Sequence, residues 1–143
     1  MPRLVIPTET FMEEVRSLLS QGKEVSFTPK GYSMLPLLRT DRDSVILKKL
    51  PGAEVGDIIL VRTEGRYVLH RLISMEGDKL VLQGDGNLQG TETCGPDDVL
   101  GTVIRIKRGR LGFKPGNGRF WRGLPYIVRR VILAIYRRLY KTL

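Results

Sequence analysis

Asp57-Ile58-Ile59-Leu60-Val61-Arg62-Thr63-Glu64-Gly65-Arg66-Tyr67-Val68-Leu69-His70-Arg71-Leu72-Ile73 is two short apolar runs divided by a polar tetrad. Val, Ile, Leu and Tyr dominate the runs, and both are shorter than an ordinary helix, so each reads as a strand. Gly65 supplies the positive φ that a tight turn needs, so Thr63-Glu64-Gly65-Arg66 reads as a hairpin turn between antiparallel strands. Period-2 reading of the second run puts Val68, His70 and Leu72 on one face and Tyr67, Leu69, Arg71 and Ile73 on the other.

The same texture extends to both sides. Val25 to Thr28, Ser44 to Lys48, Lys79 to Gln83 and Val99 to Lys107 are further short apolar runs, and Glu76-Gly77-Asp78 is a second hairpin turn. Residues 24–107 are therefore expected to form a small, mainly β domain. In residues 1–23, Phe11, Val15, Leu18 and Leu19 recur at helical spacing, Thr10 and Glu13 make a capping-box pair, and Gly22 ends the run. This predicts an N-terminal amphipathic helix. Gly84 to Asp98, with four glycines and a proline, reads as a long loop, and residues 108–118 read as a linker. Residues 119–143 predict a basic amphipathic C-terminal helix with Pro125 in its first turn. Val128, Val131, Ile132, Ile135, Tyr136 and Leu139 fall on one face, and Arg129, Arg130, Arg137, Arg138 and Lys141 on the other.

Composition narrows the alternatives. A chain of 143 residues with 41% apolar and 27% charged residues is long enough to bury one ordinary core. Cys94 is the single cysteine and His70 the single histidine, so an internal disulfide is excluded, a His/Cys zinc site lacks ligands, and neither a metal nor another cofactor is expected. The N-terminal apolar run is too short for a signal peptide, and no stretch approaches the length of a conventional transmembrane span. The expected location is cytoplasmic or peripheral to a membrane. Charge is segregated: residues 1–98 hold 12 Lys/Arg and 15 Asp/Glu, whereas residues 99–143 hold 12 Lys/Arg and no acid.

Three segments carry the reactive groups. Gly31-Tyr32-Ser33-Met34-Leu35-Pro36 offers a hydroxyl, Leu69-His70-Arg71 the imidazole and Gly84-Asp85-Gly86-Asn87 a carboxylate. A serine hydroxyl needs a positioned base, and His70 is the only side chain whose ordinary pKa lies near neutrality. Asp85 can hold such an imidazole in one tautomer. Read singly, Ser33 is also a turn residue, His70 a half-buried strand residue, and Asp85, like Asp57 and Asp78, a turn acid.

Taken together, the segments resemble a known family. Ser33-Met34-Leu35-Pro36 is similar to the Ser-Met-x-Pro box of the signal peptidase I superfamily, which includes the LexA-like self-cleaving repressors. Gly56-Asp57-Ile58-Ile59, Leu69-His70-Arg71-Leu72-Ile73, Gly84-Asp85-Gly86-Asn87 and Val99-Leu100-Gly101-Thr102-Val103 resemble its later boxes, in order. His at position 70, where other branches have Lys, resembles the Ser-His branch of the endoplasmic-reticulum and archaeal type. The resemblance implies a coiled antiparallel β-sheet fold and a serine endopeptidase of the class that processes signal peptides. It also implies Ser33 as nucleophile, with its backbone N–H in the oxyanion hole, His70 as general base and Asp85 as third member. Gly31 stands where some members carry a further serine donor. A small residue beside the scissile bond of an extended peptide or protein substrate is implied too. With 32 residues before Ser33 and only an amphipathic helix among them, neither a membrane anchor nor a repressor's DNA-binding domain is expected there. The competing class is an inactive peptidase-fold module that binds peptide or membrane. For residues 119–143 the expectations are an anionic membrane surface or docking on the β domain, with nucleic acid disfavoured because no base-reading module is visible.

Overall fold

In the computed structural model, which describes residues 8–29, 34–38 and 42–141, the hairpin forms around its glycine turn. Strand β3 (Ile58–Thr63) pairs antiparallel with β4 (Arg66–Glu76) from Ile58 opposite Arg71 to Thr63 opposite Arg66. Glu64 and Gly65 have φ of 51° and 73°, the left-handed pair of a type I′ turn, whose twist matches that of the strands. The next hairpin, β4 with β5 (Lys79–Gln83), turns at Gly77, where φ is 59°.

Strands β1 (Val25–Phe27), β2 (Asp43–Lys48), β6 (Glu92–Cys94), β7 (Val99–Arg108) and β8 (Leu111–Phe113) complete an antiparallel sheet in the order β1-β2-β7-β3-β4-β5-β6. The last strand pairs with the C-terminal part of β7 on the edge that β3 occupies further back. Register shifts at Ile46/Leu47, Leu60/Val61 and Leu72/Ser74 mark bulges that bend the sheet. The Thr63 hydroxyl donates to the Thr93 carbonyl at 2.9 Å, tying the end of β3 to β6 and curling β3–β6 on themselves.

Curling creates two apolar cores that share β3. Ile58 and Leu60 face one, with Val15 and Leu19 of α1 (Thr8–Ser20), Val45 and Ile106. Ile59 and Val61 face the other, with Val68, Leu72, Leu80 and Leu82. Each such side chain, fully withdrawn from water, contributes about 1.5–3 kcal/mol relative to exposure. A Cβ on Gly101 would stand 3.0 Å from Leu19 Cδ1, so α1 rests directly on the β7 backbone.

Four local expectations change. Thr10 lies inside the first turn of α1 rather than at its cap, and the Glu9–Arg62 ion pair at 2.8 Å fastens that turn to β3. Residues 84–98 are not all loop, because Glu92–Cys94 pairs with Leu80–Leu82 and a 3-10 turn follows at Pro96–Asp98. Residues 108–118 carry β8, reached through Gly109 at a φ of 63°. The tail is divided into α2 (Arg119–Gly123) and α3 (Tyr126–Lys141) at Leu124-Pro125, where Pro125 prevents one continuous helix. No helix among the described residues is long and apolar enough to cross a membrane.

Candidate active site

Directly opposed residues of antiparallel strands share a face. Ile59 stands opposite His70, Leu72 opposite Leu82, and Leu82 opposite Glu92. Alternation then brings His70 and Glu92 to the same side, as the period-2 reading of Val68, His70 and Leu72 requires. His70 Nδ1 contacts Glu92 Oε1, with side-chain exposures of 12% and 11%. A carboxylate only accepts, so this contact assigns the proton to Nδ1 and leaves the lone pair of a neutral imidazole on Nε2.

Arg71 points to the opposite face of β4 and is fully buried. Its Nε donates to Asp85 Oδ1 at 2.9 Å and its Nη2 to Asp85 Oδ2 at 2.8 Å. Nη1 donates to the carbonyls of Gly56 and Gly116 at 2.8 and 2.9 Å. One guanidinium therefore joins the turn before β3, the loop after β5 and the segment before α2. Asp85 lies in the tight turn Gly84-Asp85-Gly86-Asn87, closed by Asn87 N–H donating to the Gly84 carbonyl at 2.9 Å. Asn87 Oδ1 also accepts from Gly90 N–H at 3.1 Å, which shapes the chain leaving the turn. Asp57 has the turn role its position indicates, accepting from Glu54 N–H at 2.9 Å.

The segment after Ser33 is anchored at two points. Asp85 N–H donates to Met34 Sδ at 3.4 Å, while Met34, Leu35 and Leu38 are buried. Arg108 donates from Nε to Asp43 Oδ1 at 2.9 Å and from Nη2 to Asp43 Oδ2 at 2.7 Å and to the Leu37 carbonyl at 3.0 Å. Ser33, the expected nucleophile and oxyanion-hole donor, and Gly31, which stands where some family members carry a further serine, lie outside the described residues.

The acid beside the imidazole thus differs from the expected one. Asp85 is occupied by Arg71, and Glu92 takes the Nδ1 position. Sequence reasoning missed Glu92 because Glu92-Thr93-Cys94 lacks the apolar run that signals a strand. Its place becomes evident only through the register with Leu82. Nearby, burial and, second, Asp98 push the Cys94 thiol up to about 11, which favours the protonated thiol over the thiolate near neutral pH.

The C-terminal helices close over the Asp85 turn. Trp121 Nε1 donates to the Asp85 carbonyl at 2.7 Å, Arg137 Nη2 to the Gly86 carbonyl at 2.7 Å, and Gln89 Nε2 to the Tyr126 hydroxyl at 3.1 Å. No family model matches the chain.

Proposed function

We propose that the protein is a serine endopeptidase of signal-peptidase-like type, built on the curled sheet of that superfamily, with Ser33 as nucleophile and His70 as general base. One observation carries the reading. Met34 and Arg71, the residues that follow Ser33 and His70, both bond Asp85, so the segments carrying Ser33 and His70 are tied to one turn, with Arg71 leaving β4 on the face opposite His70.

In this mechanism Glu92 fixes the imidazole with its proton on Nδ1, and Nε2 removes the proton of the Ser33 hydroxyl. The freed oxygen attacks the carbonyl of an extended peptide. The Ser33 backbone N–H receives the developing oxyanion, a contribution of about 10²–10³ in rate for one such donor. His70 next hands its proton to the departing amine, and water releases the acyl group by the same relay. Asp85 serves as a positioning residue through Arg71 and Met34.

Cleavage of a peptide library, followed by mass spectrometry, tests the proposal with wild type and Ser33→Ala. Expected is cleavage next to small residues by wild type alone. Equal turnover by both proteins, or none by either, overturns the peptidase in favour of a binding module.

A further inference from the structure

We infer that α3 is an interfacial helix that lies in the plane of an anionic lipid bilayer, with Ile127, Val131 and Ile135 inserted, while its opposite side remains on the Asp85 turn. Ile127, Val131, Ile135 and Leu139 follow one another at intervals of four residues and are 69%, 54%, 55% and 56% exposed. Leu133, in contrast, is buried. At 3.6 residues per turn a two-residue step is about 160° round the axis, so Leu133 points nearly opposite both Val131 and Ile135. Ile132 and Tyr136, which the sequence groups with the apolar face, are half-buried, Tyr136 about 60° from Leu133 round the axis and Ile132 between Leu133 and the exposed stripe.

The helix therefore has one side seated on the protein and an aliphatic side left in water. Such a face needs an apolar partner.

Charge selects that partner. Arg130 is exposed beside the stripe, and residues 99–143 contain no Asp or Glu. A second copy packed on the same face by two-fold symmetry brings Arg130 and its basic neighbours toward each other with no acid from this region to offset them. Nucleic acid answers the arginines but leaves the aliphatic side in water. An anionic bilayer satisfies both, since acyl chains receive the stripe and headgroups meet the guanidinium edge. The seated side is free to stay in place on insertion, because Arg137 holds the Gly86 carbonyl from the side of α3 away from the stripe, while Trp121 of α2 holds the Asp85 carbonyl. The inference stands independently of whether the site cleaves peptides.

Flotation of the full chain with vesicles of equal parts phosphatidylglycerol and phosphatidylcholine, or of phosphatidylcholine alone, tests this. Binding is expected to the anionic vesicles only, with a loss of about tenfold or more for Val131→Glu/Ile135→Glu. Arg130→Gln weakens it about fivefold. Both variants alter exposed residues and keep the wild-type circular dichroism. Hydrogen exchange in residues 84–90 stays as slow on vesicles as in solution. The interfacial helix is overturned by no binding to anionic vesicles, by undiminished binding of the double variant, or by a lipid-free dimer that the double variant disperses. Faster exchange in residues 84–90 on vesicles overturns the retained seating.

Discussion

Two acids near the candidate site have separable jobs. Glu92 touches the imidazole, whereas Asp85 neutralises a buried guanidinium, so their amide variants should fail in different ways. Under the proposed peptidase mechanism, Glu92→Gln is expected to lower kcat by about 10²–10⁴ with little change in KM or Tm, because an amide can present N–H to Nδ1 and favour the wrong tautomer. Asp85→Asn should instead lower stability by about 3–5 kcal/mol, the usual cost of leaving one member of a buried ion pair alone. Urea denaturation and steady-state kinetics on both variants check the assignment. Full activity in Glu92→Gln, with an inactive but stable Asp85→Asn, would reverse the roles. Cys94 offers a test by pH. With its pKa pushed up to about 11 by burial and Asp98, only about a thousandth is thiolate at pH 8, so iodoacetamide should react far more slowly with native than with urea-unfolded protein. The raised native value favours the thiol form. Its contribution to stability is complete below the unfolded thiol pKa and disappears as pH rises through about 11. Equal alkylation rates for native and unfolded chains would contradict the raised thiol pKa of the half-buried Cys94.

At the level of elements, the segment before α2 and the Asp85 turn form one clamp on Arg71. Gly118 has a φ of 74°, and a Cβ there would stand 2.5 Å from Arg71 Nε, so Gly118→Ala is strained both by its backbone and by collision with the central guanidinium. The expected loss is about 1–3 kcal/mol for the backbone alone, measured by urea denaturation, and an unchanged midpoint would show that Arg71 can be displaced freely. Trp121→Phe deletes the donor to the Asp85 carbonyl and should cost about 1 kcal/mol, with faster hydrogen exchange at Asn87. Much of this architecture was legible beforehand. Gly65 and Gly77 announce their hairpins because left-handed turns favour glycine, and β3 and β4 announce themselves through β-branched and aliphatic runs. The strands β6 and β8 were not legible, since three residues such as Glu92-Thr93-Cys94 become a strand only through the neighbour they pair with. The Glu92–His70 contact inherits that limit. The sequence grouping of Val128, Val131, Ile132, Ile135, Tyr136 and Leu139 on one face of α3 leaves out both Leu133, which is seated on the protein, and Ile127, which faces water beside Val131.

Across the whole molecule, β3 decides how the protein comes apart. Alternate residues of this strand belong to different cores, Ile58 and Leu60 to the one under α1, and Ile59 and Val61 to the one inside the curl. Neither core can lose its packing without exposing part of a strand that the other needs. Arg71 adds a second tie, since its partners Gly56, Asp85 and Gly116 come from three separate stretches of chain. The expected consequence is a single cooperative transition, with far-ultraviolet circular dichroism and the fluorescence of Trp121, the only tryptophan, changing together in urea. Leu47→Ala in the first core and Leu72→Ala in the second should each cost about 2–5 kcal/mol, because both side chains are fully buried and truncation leaves a cavity. Both variants should shift the two probes by the same amount, although Trp121 bonds the Asp85 turn and lies outside both cores. Two resolved transitions, or a Leu47→Ala variant that moves the circular dichroism midpoint and leaves that of Trp121 in place, would mean that β3 does not couple the cores.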